Sequence, residues 1–327
     1  MQPSKTTSRP AQSSKAVVFC VDEAYLPFAF FAASQLWHMS DHTDFDIVIC
    51  APEGTRVPDT LSNLNIRLAT LATDGLFEGL YVDARRTEAV YHRMALPAVF
   101  ADEYERLLYL DADVFIHGGQ FAALFDVDLR GHAIAAVRDN LQWTKPNRHI
   151  ADFIKMGIGP EKYFNSGVLL IDVAAYQSQQ ILESCITYGR DNNDKLRQHD
   201  QELLNCVLQG NWAELSPVWN WQQPVRSAYF EVMVPVAITH FIGPRKPWND
   251  AAGLIPPRFT IAFRAFLSRH FPEIGNIPVS KASEVSATYV VRLTIKNTLR
   301  AGKLRSYVRR FPDDMLAENT PSTNVLG

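Results

Sequence analysis

The sequence contains little cysteine, and its four cysteines lie far apart. They are Cys20, Cys50, Cys185 and Cys206, and no two of them form a C-x-x-C pair. Three of them sit in apolar runs, which indicates small buried side chains in a reducing compartment. A disulfide scaffold is therefore excluded.

Long apolar runs and an excess of positive charge are also missing. No stretch approaches the roughly 18 consecutive apolar residues of a membrane-spanning helix, so we expect a soluble, cytoplasmic protein. The 32 Lys and Arg residues stand against 35 Asp and Glu, a formal net charge of −3. A dedicated nucleic-acid binder would be basic overall, so we expect no nucleic-acid partner. No G-x-G-x-x-G follows the first apolar run, which disfavours a dinucleotide-binding dehydrogenase.

What the sequence does contain is a long alternation of short apolar runs and helical segments. Its 327 residues are 47% apolar, enough for a sizeable core in one large domain. Short apolar runs between helices predict an α/β fold with a mostly parallel, doubly wound sheet. Predicted strands are 15–22, 45–51, 66–71, 106–111, 133–137, 168–172 and 234–241. Predicted helices are 26–39, 88–101, 174–188, 201–208 and 259–271, with an aromatic loop over 217–224.

The chain divides into three parts by composition. Residues 1–15 are polar, rich in Ser and Thr and without an apolar signal-peptide core, so we expect a disordered leader. We expect residues 16–275 to form one compact domain, because no linker-like stretch divides them. We expect residues 276–327 to form a C-terminal appendage with a basic amphipathic helix.

The sharpest chemical motif is the segment LLYLDADV, which contains Asp111 and Asp113. The two carboxylates directly follow a buried strand, where ligands bind in open α/β sheets. Two carboxylates one residue apart at a strand end can both reach one divalent cation. That cation neutralises charge on a leaving diphosphate. The motif therefore predicts a metal site.

Three further segments place polar residues at strand or helix ends. YFNSGVLLID contains Asn165 and Ser166, HDQ opens a helix with Asp200, and THFIGPRKPW contains His240 and Lys246. Each has a structural interpretation when taken alone: a turn, a helix N-cap and a core histidine. Histidine also suits a metal, and glycine with lysine suits phosphate.

Together, and in this order, the four segments resemble glycosyltransferase family 8, which contains bacterial lipooligosaccharide galactosyltransferases and glycogenin. The resemblance runs from about Ala16 to Trp248. It implies a GT-A fold, a Rossmann-like α/β domain whose mostly parallel sheet is flanked by helices. It also implies a reaction that retains the anomeric configuration.

The resemblance assigns roles by position. Asp111, Asp113 and His240 match the protein ligands of a manganese ion, with magnesium as the alternative metal. Asp200 and Gln201 match the pair beside the transferred sugar. The residues that match donor-binding positions are Asp22, Tyr25, Arg93, Asn165, Ser166, Gly243 and Lys246.

The implied donor is a UDP-hexose, with galactose or glucose as the sugar, and the acceptor is a saccharide or glycolipid. Gln201 lies near the anomeric carbon, but an amide carries no full negative charge. The matched position therefore lacks the carboxylate nucleophile that a double displacement needs. We expect attack on the face from which UDP leaves, with the departing phosphate taking the acceptor proton.

Other functions remain open on the sequence. A phosphatase of the haloacid-dehalogenase type also has D-x-D after a strand, and Asp111 would then be its nucleophile. A non-catalytic carbohydrate-binding or nucleotide-binding protein and a glycogenin-like self-glucosylating enzyme are two more. The phosphatase leaves the other three motifs unexplained.

The C-terminal segment 285–312 carries seven Lys or Arg and no Asp or Glu. Arg292, Lys296, Arg300 and Lys303 share one helical face. Two interpretations stay open: a helix that packs on the domain, and a helix that binds an anionic membrane surface on its cytoplasmic side.

Overall fold

The computed structural model describes most of the chain. The described residues are 3–39, 44–82, 88–197, 199–223, 228–250, 252–274, 277–279 and 286–318. The strands are β1 Ser4–Thr7, β2 Lys15–Cys20, β3 Asp46–Cys50, β4 Arg67–Ala72, β5 Arg106–Leu110, β6 Val114–Ile116, β7 Ile134–Arg138, β8 Phe164–Asp172, β9 Ala213–Leu215, β10 Trp221–Gln223 and β11 Ile238–Phe241. The helices are α1 Leu26–Met39, α2 His92–Val99, α3 Phe121–Phe125, α4 Asn140–Trp143, α5 Ala151–Lys155, α6 Val173–Ser178, α7 Ile181–Asp191, α8 His199–Leu208, α9 Ala228–Glu231, α10 Pro257–His270 and α11 Ala287–Val308.

The strands form a large sheet and a small one. The large sheet has the order β1-β4-β3-β2-β5-β8-β7-β9, and the small sheet has the order β10-β11-β6. Neighbours from β4 to β5 are parallel, whereas β8 is antiparallel to both β5 and β7. The predicted α/β class with a mostly parallel sheet is therefore confirmed.

The large sheet is buried on both faces, which explains the continuous apolar runs of its central strands. Successive side chains of β2 point to opposite faces. Val17 and Phe19 join the core that includes α1, whereas Ala16 and Val18 join the core that includes α2. All four side chains are fully buried.

Several predicted segments differ from the structure. The strand predicted over 234–241 is limited to β11, and the strand predicted over 168–172 begins four residues earlier as β8. The helix predicted over 88–101 begins as a 3₁₀ turn that precedes α2. The helix predicted over 174–188 is two helices, because Gln180 adopts a left-handed φ of 52° between α6 and α7. The aromatic loop predicted over 217–224 contains β10, which pairs in parallel with β11. A strand of three residues is too short to show a period in the sequence.

The disordered leader predicted over residues 1–15 is wrong where the structure describes β1. Ser4–Thr7 pairs antiparallel with β4 and forms the edge of the large sheet. Lys5 Nζ donates to the backbone carbonyl of Val99 at 2.7 Å and to Asp102 at 2.6 Å. A polar edge strand is held by backbone pairing and needs no apolar run, so composition alone did not predict it.

The predicted C-terminal helix is present as α11, and the end of the chain's described part packs on the domain. Leu304, Tyr307 and Phe311 are buried, and the ring of Tyr307 stacks on Trp143 at 6.0 Å. The backbone N–H of Ser216 donates to the carbonyl of Met315 at 2.7 Å. Within the described residues, no helix is both long enough and apolar enough to cross a membrane.

Candidate active site

The two aspartates of the D-x-D motif lie where the large and small sheets meet. Asp111 directly follows β5, and its N–H donates to the carbonyl of Gly167 on β8 at 2.8 Å. The carbonyl of Asp113 accepts from the N–H of Phe241 at 2.9 Å, and Val114 on β6 pairs with His240 on β11. The backbone therefore brings the histidine of β11 opposite the motif.

The side chains of Asp111, Asp113 and His240 offer ligand atoms within 4.8 Å of one another. His240 Nε2 lies 3.2 Å from Oδ1 of Asp113 and 3.5 Å from Oδ2 of Asp111. The other ring nitrogen, Nδ1, lies 3.1 Å from Oδ1 of Asn220. Because an amide oxygen only accepts, the hydrogen-bond network assigns the proton to Nδ1 and leaves a lone pair on Nε2.

The three side chains fit a divalent metal ion. Oδ1 of Asp113 is buried and accepts no hydrogen bond within the part of the chain that the structure describes. With its proton on Nδ1, His240 faces this oxygen with a lone pair. Two lone pairs that face each other repel, and a cation between them would bind both. Carboxylate oxygen and imidazole nitrogen are ligands of several divalent metals.

The charge of Lys246 keeps one of these ligands ionised. Its Nζ donates to Oδ2 of Asp113 and to the carbonyl of Phe241, the latter at 2.5 Å. Burial raises the pKa of Asp113, but the close contacts with His240 and Lys246 outweigh burial and hold that pKa well below its usual range. Gly243, with a φ of 77°, lets the chain turn between His240 and Lys246.

Arg93, on α2, joins the aspartate of the metal site to the predicted sugar-binding residues. Its Nη1 lies 3.0 Å from Asp111, and its Nε lies 3.3 Å from Asp200. Nη1 also donates to the carbonyl of Ser166 at 3.1 Å. The guanidinium lies 4.5 Å from the ring centre of Tyr109, whose hydroxyl donates to Asp111 at 2.6 Å.

The residues predicted to surround the sugar form one hydrogen-bonded cluster. Ser166 Oγ donates to Asp200 at 2.8 Å. Oε1 of Gln201 accepts from Nδ2 of Asn165 and from the N–H of Ser166, both at 3.1 Å. Burial raises the pKa of Asp200, although Arg93 acts in the opposite direction. These contacts fix the side chains of α8 against the strand β8.

The predicted uracil-binding residues lie at the end of the neighbouring strand. Asp22 and Tyr25 follow β2 and are exposed, and Oδ1 of Asp22 accepts from the N–H of Tyr25 at 3.0 Å. The ring of Tyr25 lies 6.2 Å from Trp248, which stacks on Phe28 at 3.6 Å. Trp248 lies two residues after Lys246, so the predicted uracil-binding residues lie next to the predicted diphosphate-binding segment.

The structure thus brings the sequence-predicted residues to the same end of the central strands β2, β5 and β8. Nine of them form a continuous network of contacts: Arg93, Asp111, Asp113, Asn165, Ser166, Asp200, Gln201, His240 and Lys246. Gly243 shapes the turn before Lys246. Asp22 and Tyr25 lie beside the network, at the end of β2.

Two residues of the site were not found from the sequence. Asn220 is fully buried, and its Nδ2 donates to Oδ1 of Asn165 at 2.9 Å while its Oδ1 faces His240. Gly167 lies against the metal-site side chains, since an added Cβ would be 2.2 Å from Cε1 of His240. A lone asparagine between two tryptophans and a glycine inside an apolar strand were the available signals.

Comparison with known proteins agrees with this geometry. The family model described as glycosyl transferase family 8 matches residues 16–252. General stress protein A of Bacillus subtilis (strain 168) is 30% identical over 211 residues, 60% of this chain and 71% of the relative. The lipopolysaccharide 1,3-galactosyltransferase of Salmonella typhimurium is 30% identical over 174 residues and is spanned over only half its length. The crystal structure of the galactosyltransferase LgtC with donor and acceptor sugar analogs superimposes with a TM-score of 0.63 at 21% identity, covering 85% of this chain and 99% of that one.

The matched family model covers more than half of the chain, so the chain belongs to glycosyl transferase family 8. It is a glycosyltransferase, and its fold is the GT-A fold. The alternative of a haloacid-dehalogenase-type phosphatase with Asp111 as nucleophile is not supported, because the matching family and the similar structures are glycosyltransferases. Asp111 also contacts Tyr109 and Arg93 and lies opposite His240, so the structure joins the D-x-D motif to segments that the phosphatase left unexplained.

Proposed function

We propose that this glycosyltransferase moves a hexose, galactose or glucose, from a UDP-sugar to a saccharide or glycolipid acceptor with retention of configuration. The observation that carries the proposal is the buried set Asp111, Asp113 and His240 with Lys246 beside it. This set combines ligands for a divalent cation with a lysine, as a diphosphate leaving group requires. Two similar proteins, the lipopolysaccharide 1,3-galactosyltransferase and LgtC, are galactosyltransferases, which supports a hexose donor.

The three ligands would hold Mn²⁺, with Mg²⁺ as the alternative. A bound divalent cation stabilises the negative charge that develops on the leaving diphosphate. The protein's own contribution is orientation: Asn220 fixes the ring of His240, and Tyr109 fixes Asp111 by a hydrogen bond of 2.6 Å. Such outer contacts of metal ligands typically change metal affinity 10–100-fold when removed.

Other residues of the network would bind the donor. Nζ of Lys246 lies beside Asp113. With a metal bound to Asp113, Lys246 would be available to contact the diphosphate. Arg93 would keep its position between Asp111 and Asp200. Asp22 and the exposed ring of Tyr25 would bind the uracil, the latter by stacking.

The chemical step uses the geometry around Gln201. Its Oε1 is held by Asn165 and Ser166, so the amide is positioned but carries no nucleophilic charge. Asp200 accepts from Ser166 and lies against Arg93, and it would bind sugar hydroxyls. The acceptor oxygen bonds to the anomeric carbon on the face from which UDP departs. The bond from that carbon to the diphosphate oxygen breaks, and this oxygen takes the acceptor's proton.

The exposed part of α11 supports a membrane surface as a further partner. Val291, Ile295 and Leu299 recur every four residues and are 58%, 54% and 76% exposed. Arg292 and Lys296 lie next to this stripe and are exposed. An apolar stripe flanked by cations is typical of helices that lie on anionic membranes, and it would bring the enzyme to a glycolipid acceptor. The buried end of the segment 285–312 packs on the domain, so the proposal concerns the first half of α11.

The test is hydrolysis and transfer measured over a panel of UDP-sugars, with and without Mn²⁺. We expect activity with UDP-galactose or UDP-glucose that needs the metal and falls by at least 100-fold in Asp113→Ala. Asp44→Ala is the matched control, since Asp44 is exposed and lies outside the network. Activity that survives Asp113→Ala would contradict the site, and a trapped covalent glycosyl-enzyme adduct would contradict the front-face mechanism.

A further inference from the structure

A charged cavity lies beside β9, the strand at one edge of the large sheet. It has a volume of about 290 Å³ and is lined by the strands β7 and β9, by Lys162 and Trp212, and by the chain after α11. Glu214 on β9 forms its centre. The side chains of Arg138 and Arg310 both point at this carboxylate.

The lining carries more positive than negative charge. Arg138 and Arg310 both bind Glu214, with Nη2 atoms 2.7 and 2.9 Å from its Oε2, so two cations share one carboxylate. Lys162 and Arg130 add two further cations, and Glu318 adds one carboxylate. Formal cations therefore exceed formal anions by two around the cavity.

Lys162 is the cation whose charge is least compensated. Its Nζ donates to the carbonyl of Trp212 and lies 4.4 Å from the centre of the Trp212 ring. Within the described residues, no carboxylate lies at ion-pair distance from this ammonium. Burial, together with the charges of Arg138 and Arg310, lowers the pKa of Lys162 to about 8 against the opposing effect of Glu214.

Trp212 provides a second, independent observation. Its side chain is fully buried, and its indole Nε1 has no hydrogen-bond partner among the residues that the structure describes. A buried N–H without an acceptor is destabilising, because it has lost its hydrogen bond to water. Trp212 and Lys162 line the same cavity. Among the described residues, Nε1 of Trp212 has no acceptor, and Nζ of Lys162 donates to a neutral carbonyl rather than to a carboxylate.

We propose that this cavity binds a phosphate group, either as inorganic phosphate or as a phosphate monoester on a saccharide. A phosphate dianion matches the excess of two positive charges, and its oxygens accept from an ammonium and an indole N–H. The volume exceeds what one phosphate occupies and leaves room for part of a sugar ring.

The site is separate from the diphosphate-binding residues. Two connections link the cavity to the candidate active site. Arg138 pairs with Phe164 on β8, the residue that precedes Asn165. Nε2 of Gln222 donates to the carbonyl of Arg138 at 3.1 Å, and Gln222 pairs with His240 in the small sheet. The half-buried Lys162 and the buried Lys246 thus lie in two different sites. Either lysine can be changed to methionine while the other is kept.

The experiment uses the full chain in EDTA, so that no metal-dependent donor binding contributes. Thermal unfolding is followed while inorganic phosphate, glucose 6-phosphate or glucose is added, with chloride at equal ionic strength as the baseline. We expect a saturable rise in Tm with one or both phosphates, lost in Lys162→Met and kept in Lys246→Met. Lys195→Met is the control for removal of an exposed lysine.

The separate titrations with inorganic phosphate and with glucose 6-phosphate distinguish the two sources of the phosphate group. A rise with inorganic phosphate supports a free-phosphate site, and a rise with glucose 6-phosphate alone supports a site for a phosphorylated saccharide. An equal rise with glucose, no rise with either phosphate, or a rise that Lys246→Met abolishes would each overturn the proposal.

A second measurement keeps the proposal testable if Lys162→Met fails to fold. Acetylation of lysines in the unmodified chain is mapped by mass spectrometry with and without inorganic phosphate. Bound phosphate should slow the modification of Lys162 at least threefold and leave Lys195 unchanged. Equal rates at Lys162 in both samples would refute phosphate binding there.

Discussion

A methyl group added at Gly167 should weaken metal binding while the chain still folds. Gly167 lies inside β8, and a Cβ added there would be 2.2 Å from Cε1 and 2.7 Å from Nδ1 of His240, and 2.8 Å from Oδ2 of Asp111. Carbon atoms in contact lie about 3.5–4.0 Å apart. Gly167→Ala therefore forces two proposed metal ligands to move by about 1 Å.

The size of the effect follows from the cost of inserting a methyl group into a packed site. Such insertions cost about 1–3 kcal/mol when neighbours must shift. If the displacement of His240 and Asp111 relieves most of this strain, the cost falls on metal binding. Because 1.4 kcal/mol is a factor of ten, we expect affinity for Mn²⁺ to fall by about 10–100-fold.

Calorimetric titration with Mn²⁺ in the absence of donor measures this affinity, and thermal unfolding is measured beside it. Gly159→Ala is the matched control, because a Cβ at Gly159 would meet nothing within 4 Å and its backbone is not left-handed. The argument is refuted if Gly167→Ala folds normally and binds Mn²⁺ within twofold of the unmodified chain.

Three further predictions follow from other contacts. Asn220→Ala should lower Mn²⁺ affinity about 10–100-fold, because the ring of His240 loses the acceptor that orients it; titration as for Gly167→Ala checks this, and equal affinities would contradict it. The pKa of Lys162 is lowered from 10.5 to about 8 in the folded chain. Between pH 8 and pH 10.5 the unfolded chain therefore binds more protons than the folded chain, so the free energy of unfolding should rise with pH over this window. Relative to Lys162→Met, the free energy of unfolding of the unmodified chain should rise by at most about 3.4 kcal/mol over that window. Denaturant unfolding measures this difference, and a difference that stays constant with pH would contradict the lowered pKa. Replacing Ile295 and Leu299 by serine should reduce co-sedimentation with anionic vesicles several-fold without lowering Tm, and unchanged sedimentation would count against the membrane surface.

The order of the motifs was enough to predict most of the candidate site. Asp111 and Asp113 could be predicted because they directly follow a buried strand, and ligands bind at the carboxyl ends of strands in open α/β sheets. His240 could be predicted because it lies at the end of an apolar run. Asn220 and Gly167 were not visible, because their roles depend on what lies opposite them. A buried asparagine between tryptophans has no local pattern that distinguishes a ligand-orienting side chain from a core amide.

The sequence by itself determined the α/β class, the family and the identity of the chemical groups. Apolar runs, helical periods and short motifs are local properties, and local properties can be seen in one dimension. Only the tertiary structure decided which groups meet. It placed β1 at the sheet edge, paired β11 with β6 so that His240 faces the aspartates, and gathered Lys162, Trp212 and Glu214 around one cavity. These juxtapositions join residues far apart in the chain, and their energy comes from burial and charge compensation that no short segment contains.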